Sequence, residues 1–246
     1  MKRALLGLLL LISIGLLGLG SLPLLGAETT EQKVYDYINN TLEASAQTKA
    51  ILIQAFRKGF QEGAITPEQA YKLLEEVNES GAELELREQV LLTIADALLK
   101  SVPVEMLVNK VLEGLHRGIP MSIILVEIQE RKRTLEEVKA LLEGKGFKVG
   151  VELRIGGVTL ALQVNLWGLV ITEIARALED YVRGGNDPTD SFAVKRAVLL
   201  RLQRLQQDSI IPGGITRWVE VNLSAEELGR IAQNIAQRLI QQKGGR

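Results

Sequence analysis

The sequence predicts a mainly α-helical protein: an irregular array of short antiparallel helices carrying one small β-hairpin. Three observations predict it. Four hydroxyl-x-x-Glu/Gln patterns mark helix starts along the chain. Apolar residues recur at helical spacing over most of its length. After Gly144-Lys145-Gly146 the period drops to two for about twenty residues, as in paired strands.

The first element is an export signal over residues 1–27. Met1-Lys2-Arg3 is followed by an apolar run from Ala4 to Leu25, then Gly26-Ala27 before the first acid, Glu28. A positive start, an apolar middle and a small residue at the exit are what a signal peptidase reads. Four glycines weaken a helix within the run and Pro23 breaks it, which favours cleavage after Ala27. The alternative is an uncleaved anchor, since the run is long enough to span a bilayer. The predicted location is therefore exported, periplasmic or extracellular, with a retained N-terminal anchor as the alternative.

Helices follow over 28–143. Thr29-x-x-Gln32, Thr66-x-x-Gln69, Thr134-x-x-Glu137 and Ser224-x-x-Glu227 fit the capping box, in which a hydroxyl accepts a free backbone N–H and the residue three on reaches back. Pro67, Pro103, Pro120 and Pro188 stand where a helix start needs no N–H. Over 103–117, Val104, Leu107, Val108, Val111, Leu112 and Leu115 form one apolar face, and Glu105, Asn109, Lys110, Glu113 and His116 the other. Residues 119–128 are apolar nearly all round and so predicted buried. The segment Val102 to Pro120, VPVEMLVNKVLEGLHRGIP, resembles uncharacterised exported bacterial helical proteins. The resemblance implies no activity.

A smaller unit is predicted over 147–246. Phe147, Val149, Val151, Leu153 and Ile155 alternate, Gly156-Gly157 follow, and Val158, Leu160, Leu162, Val164 and Leu166 alternate again. Period two on both sides of a glycine pair predicts a hairpin over 147–166. Leu162, Leu166, Val170, Ile174 and Leu178 also share a helical face, so a single long helix is the competing reading. A third short strand is predicted over 216–221, and the final helix, with its stripe of Leu228, Ile231, Ala232, Ile235 and Leu239, is expected to cover the sheet.

Composition narrows the chemistry. There is no Cys, which removes disulfides, thiol nucleophiles and cysteine metal sites together. His116 is the only histidine, at a predicted helix end, so triads and multi-histidine metal sites have one position to draw on. The net charge is −1 and becomes −3 when Lys2 and Arg3 leave with the signal, which points to no nucleic-acid partner. Gly184 to Asp190, with Glu179 and Asp180 just before, concentrates oxygen ligands, but its glycines and Asp187-Pro188 read first as a helix stop and start. Gly144-Lys145-Gly146 lacks the spacing of a phosphate loop. Glu75-Glu76, Glu136-Glu137 and Glu226-Glu227 are adjacent acids that point about 100° apart on a helix and so make no ready dyad. Asn39, Asn78 and Asn222 lie in Asn-x-Ser/Thr sequons.

No catalytic, cofactor or metal residue is assigned. The predicted function is a non-catalytic helical binding or scaffolding protein of the cell envelope with a protein partner. One alternative is a carboxylate-dependent glycan hydrolase, which needs neither His nor Cys. The other is peripheral attachment to an anionic membrane through helix 192–207, where Lys195, Arg196, Arg201 and Arg204 flank a stripe of Val194, Ala197, Val198, Leu202 and Leu205, with Leu199 and Leu200 off the stripe.

Overall fold

A computed structural model describes residues 25–147, 154–155, 158–159 and 162–244. Ten α-helices hold 79% of them, so the chain is mainly α. Most of the expected signal, residues 1–24, lies outside the described residues. No helix among the described residues is long and apolar enough to cross a membrane.

The first six helices are α1 (Leu25–Asn40), α2 (Ala46–Gln61), α3 (Pro67–Glu79), α4 (Leu84–Leu99), α5 (Glu105–His116) and α6 (Met121–Gly144). α3 starts as its sequence predicts. Thr66 Oγ1 accepts from Gln69 N at 3.2 Å, Gln69 Oε1 accepts from Thr66 N at 3.0 Å, and Pro67 takes the first helical position. α5 likewise buries Leu107, Val108 and Val111. Two predicted starts are not starts. Thr29 lies inside α1, and Thr134 lies inside the 24-residue α6. Thr134 is buried there, and its hydroxyl donates to the Glu130 carbonyl at 3.2 Å, a bond open to any threonine one turn into a helix.

The predicted hairpin is not supported. β1 (Arg154–Ile155) and β2 (Val158–Thr159) pair antiparallel, Arg154 opposite Thr159 and Ile155 opposite Val158. Two residue pairs do not make a strand pair over 147–166, and the remainder of 148–161 lies outside the described residues. At one end Phe147 closes α6, its N–H donating to Leu142 O at 3.0 Å while Gly146 takes a left-handed φ of +69°. At the other end α7 (Leu162–Arg183) already holds Val164 and Leu166, expected on the second strand. The helical face wins because it can be buried: Val170, Ile174 and Leu178 on α7 are all fully buried.

The C-terminal helices are α8 (Ser191–Gln207), α9 (Gly213–Asn222) and α10 (Ala225–Gly244). The expected strand 216–221 lies within α9, whose Ile215, Thr216 and Val219 are buried on one side. α10 starts on the predicted capping box: Glu227 N donates to Ser224 Oγ at 3.1 Å and Ser224 N to Glu227 Oε2 at 2.9 Å. Its stripe covers helices, not a sheet: α10 packs on α8, α7 and α6. At Gly229 a Cβ would run into the Ser191 side chain, so glycine lets α10 and the start of α8 touch. α6 packs on α4 and α5 to one side and on α7 and α10 to the other, and one continuous apolar cluster spans both sides of residue 146.

Candidate functional site

α7 places an acid in an apolar run. Glu173 falls between Thr172 and Ile174 and is only 3% exposed. An isolated carboxylate in such a setting is costly, so it must be paired. Arg176, one turn on, donates to Glu173 Oε1 at 2.8 Å. Arg201 on α8 brings its Nε to 2.5 Å from Glu173 Oε2 and its Nη1 to 3.2 Å from Asp180 Oδ2. One guanidinium thus bridges two carboxylates seven residues apart on the same helix. Glu173, Asp180 and Arg201 line a hollow of about 510 Å³ between α7 and α8. A glycosidase needs space between its carboxylates for sugar or water; here a side chain occupies the gap.

A second hollow, of about 630 Å³, holds the lone histidine. His116 Nε2 lies 3.1 Å from Glu76 Oε1, and Glu75 and Glu79 stand nearby in the lining. The pair joins the end of α5 to α3. The sequence places His116 at a helix end, as found, but gives no sign of Glu76, forty residues away. No group of three or more His, Cys, Asp or Glu among the described residues is arranged to hold a metal ion.

A third hollow, of about 430 Å³, lies where the α2–α3 and α4–α5 turns meet the start of α7. Pro103, Val104 and Trp167 form apolar walls, and Glu62 accepts from Ser101 Oγ at 3.2 Å on the rim.

Other charges tie helices together. Lys132 and Lys100 bridge Asp96 and Glu136: Lys132 lies 2.5 Å from Asp96 and 2.9 Å from Glu136, and Lys100 lies 2.9 Å and 3.3 Å from the same pair. These lysines hold both carboxyls below their usual range, against the upward push of partial burial. Arg238 on α10 lies 2.7 Å from Glu130 and 2.5 Å from Glu137, and Asn234 donates to Glu137 at 3.1 Å. Glu136 and Glu137 therefore serve two different neighbours from mid-helix, and not a helix start as the misread cap at Thr134 suggests. Glu179 on α7 is buried 3.4 Å from Arg131, and burial pushes its carboxyl up.

The other predicted features are turns. In the 184–190 loop, Asp187 Oδ1 accepts from Thr189 N at 2.9 Å and from Thr189 Oγ1 at 2.7 Å, which lowers its pKa. Asp190 caps α8 by accepting from Ala193 N at 3.0 Å. Lys145 reaches Glu227 at 2.7 Å, joining α6 to the start of α10. Asn78 Oδ1 accepts from Glu43 N at 3.0 Å, and Asn222 Nδ2 donates to Trp218 O at 2.8 Å, so these two sequon amides are engaged. Asn39 is exposed.

α8 differs from the rest. Its predicted stripe is core: Val194, Val198 and Leu202 are fully buried. Its opposite side is apolar again at Phe192, 77% exposed, and at Leu200, 45% exposed. Lys195 donates to the Glu220 carbonyl at 2.8 Å, and Arg201 turns inward to Glu173. No family model, curated protein or solved structure matches the chain.

Proposed function

We propose that the chain is an exported, non-catalytic helical binding or scaffolding protein of the cell envelope that acts through a protein partner. One observation carries this reading: the acids of the α7–α8 hollow are tied to arginines, while large apolar side chains stand in the open on the outer faces of helices. Paired acids stiffen a scaffold and leave no free general acid at that site. Exposed apolar groups are the usual material of protein contacts. Export rests on the signal-like residues 1–27.

Val221 and Ile240 are the most exposed of the large aliphatic side chains among the described residues. A photo-crosslinking residue at either position, in the full chain in a bacterial host, is expected to capture one discrete envelope protein. Cleavage of a cell-wall glycan that is lost in Glu173→Gln, with no crosslink at either position, would instead establish the hydrolase.

A further inference from the structure

We propose that the outer face of α8 rests on an anionic lipid bilayer, with Phe192 and Leu200 entering the acyl boundary and Arg196 and Arg204 meeting lipid phosphates. This goes beyond the protein-partner reading and does not depend on it. Residues four apart on a helix form one ridge. Here that ridge reads Phe192, Arg196, Leu200, Arg204, apolar and basic in turn, along one side of a helix whose other side is fully buried. Phe192 and Leu200 stand about 12 Å apart along the axis. No acid occurs between Ser191 and Gln207. Asp190 and Asp208 flank the face at its ends, and Asp190 is occupied as the cap. Among the described residues no carboxylate pairs with Arg196 or Arg204.

The alternation selects the occupant. A protein groove taking Phe192 and Leu200 would also have to desolvate the arginine between them. At a bilayer surface the aromatic and aliphatic tips sink while the guanidinium groups stay at phosphate level. A second copy would bring the arginines of both chains together. The chain as a whole is slightly acidic, so this face is a local exception to its charge.

The absence of cysteine makes the test direct. Gln203 is exposed on the same face, so a Gln203→Cys full chain takes a single polarity-sensitive fluorophore there and leaves the ridge intact. A Lys72→Cys chain, labelled on α3, is the control. The apolar run at residues 4–25 can bind any vesicle, so the readout is the label's surroundings and not total binding. With vesicles of phosphatidylcholine and phosphatidylglycerol at about 0.05 M salt, the label at 203 is expected to move to an apolar setting and the label at 72 to stay in water. The response should vanish at about 0.5 M salt, where screening is severe. It should need about 25-fold more lipid in Arg196→Ala/Arg204→Ala, at about fivefold per cation. An equal response on pure phosphatidylcholine, or an unchanged one in the double variant, would overturn the proposal. So would a response to soluble polyglutamate without one to vesicles, which would assign the face to an acidic protein. A response that grows with protein concentration alone would assign it to a second copy.

Discussion

The ring of Phe147 lies 4.4 Å, centroid to centroid, from that of Trp218, tilted by 51°. Its other neighbour is Trp167, at 5.2 Å and nearly parallel. Both tryptophans of the chain therefore rest on the residue that closes α6. Phe147→Ala is expected to destabilise the fold by about 3 kcal/mol, the cost of emptying an aromatic site, and to shift tryptophan emission to longer wavelength. Urea unfolding followed by fluorescence checks both. A loss under about 1 kcal/mol would show that α7 and α9 do not depend on that ring.

Ser209 ends α8 with a φ of +58°, a conformation that disfavours every side chain with a Cβ. The chain accepts it because Ile210 N can then donate to Leu205 O at 2.8 Å. Ser209→Gly is expected to stabilise by about 0.5 kcal/mol, the relief of strain less the added freedom of the unfolded glycine. Thermal unfolding should show a rise in Tm. A fall would mean that the serine itself holds the turn.

Burial raises the Glu179 carboxyl above its ordinary value of 4.5, more than Arg131 and Arg183 lower it. The folded state then holds its proton more tightly than the unfolded state. Above pH 4.5 this group makes stability fall as pH rises, until the folded form has also ionised. Glu179→Gln removes that slope. Denaturation midpoints taken from pH 4.5 to 7 should decline less in the variant; equal slopes would place the carboxyl in water.

Asp96 and Glu136 have the opposite sign. Their lysines lower both carboxyls, so the stability they add is present above the ordinary values of 3.8 and 4.5 and is lost as pH falls through the lower folded values. Lys132→Met should cost roughly 1 kcal/mol at neutral pH and nothing once both acids are protonated. Stability curves of the two proteins should meet at low pH. Curves that stay parallel would assign the loss to packing of the lysine stem.

The legible part of the chain was local. Thr66 with Gln69 and Ser224 with Glu227 cap helices because each motif completes itself within four residues. The stripes of α5 and α10 were legible for the same reason. Thr134 carries the same letters as those caps, yet α6 runs through it, because Leu135, Val138 and Leu142 are core and keep the helix going. Period two over 158–166 and period 3.6 over 162–178 share Leu162 and Leu166, and only the burial of Val170, Ile174 and Leu178 separates them. The ion pairs were harder: Arg201 with Glu173 spans 28 residues and Arg238 with Glu137 spans 101. Glu173 alone gave a hint, an acid set among Val170, Ile171, Ile174 and Ala177. Its need for arginines follows from that cost, but not which arginines.

Arg238 is made long after the acids it serves. A ribosome that has finished α6 has produced Glu137 without its cation and Glu130 with Arg133 alone, since α10 is the last of the described helices to emerge. Until then hydration of the Glu137 carboxylate opposes the docking of α6 on the C-terminal helices. Growth of the nascent chain thus imposes a sequence in time, with the α1–α5 side free to condense early and the α6–α10 seam closing last. Among the described helices, α10 is the latest made, and its arrival acts as a clock for that seam.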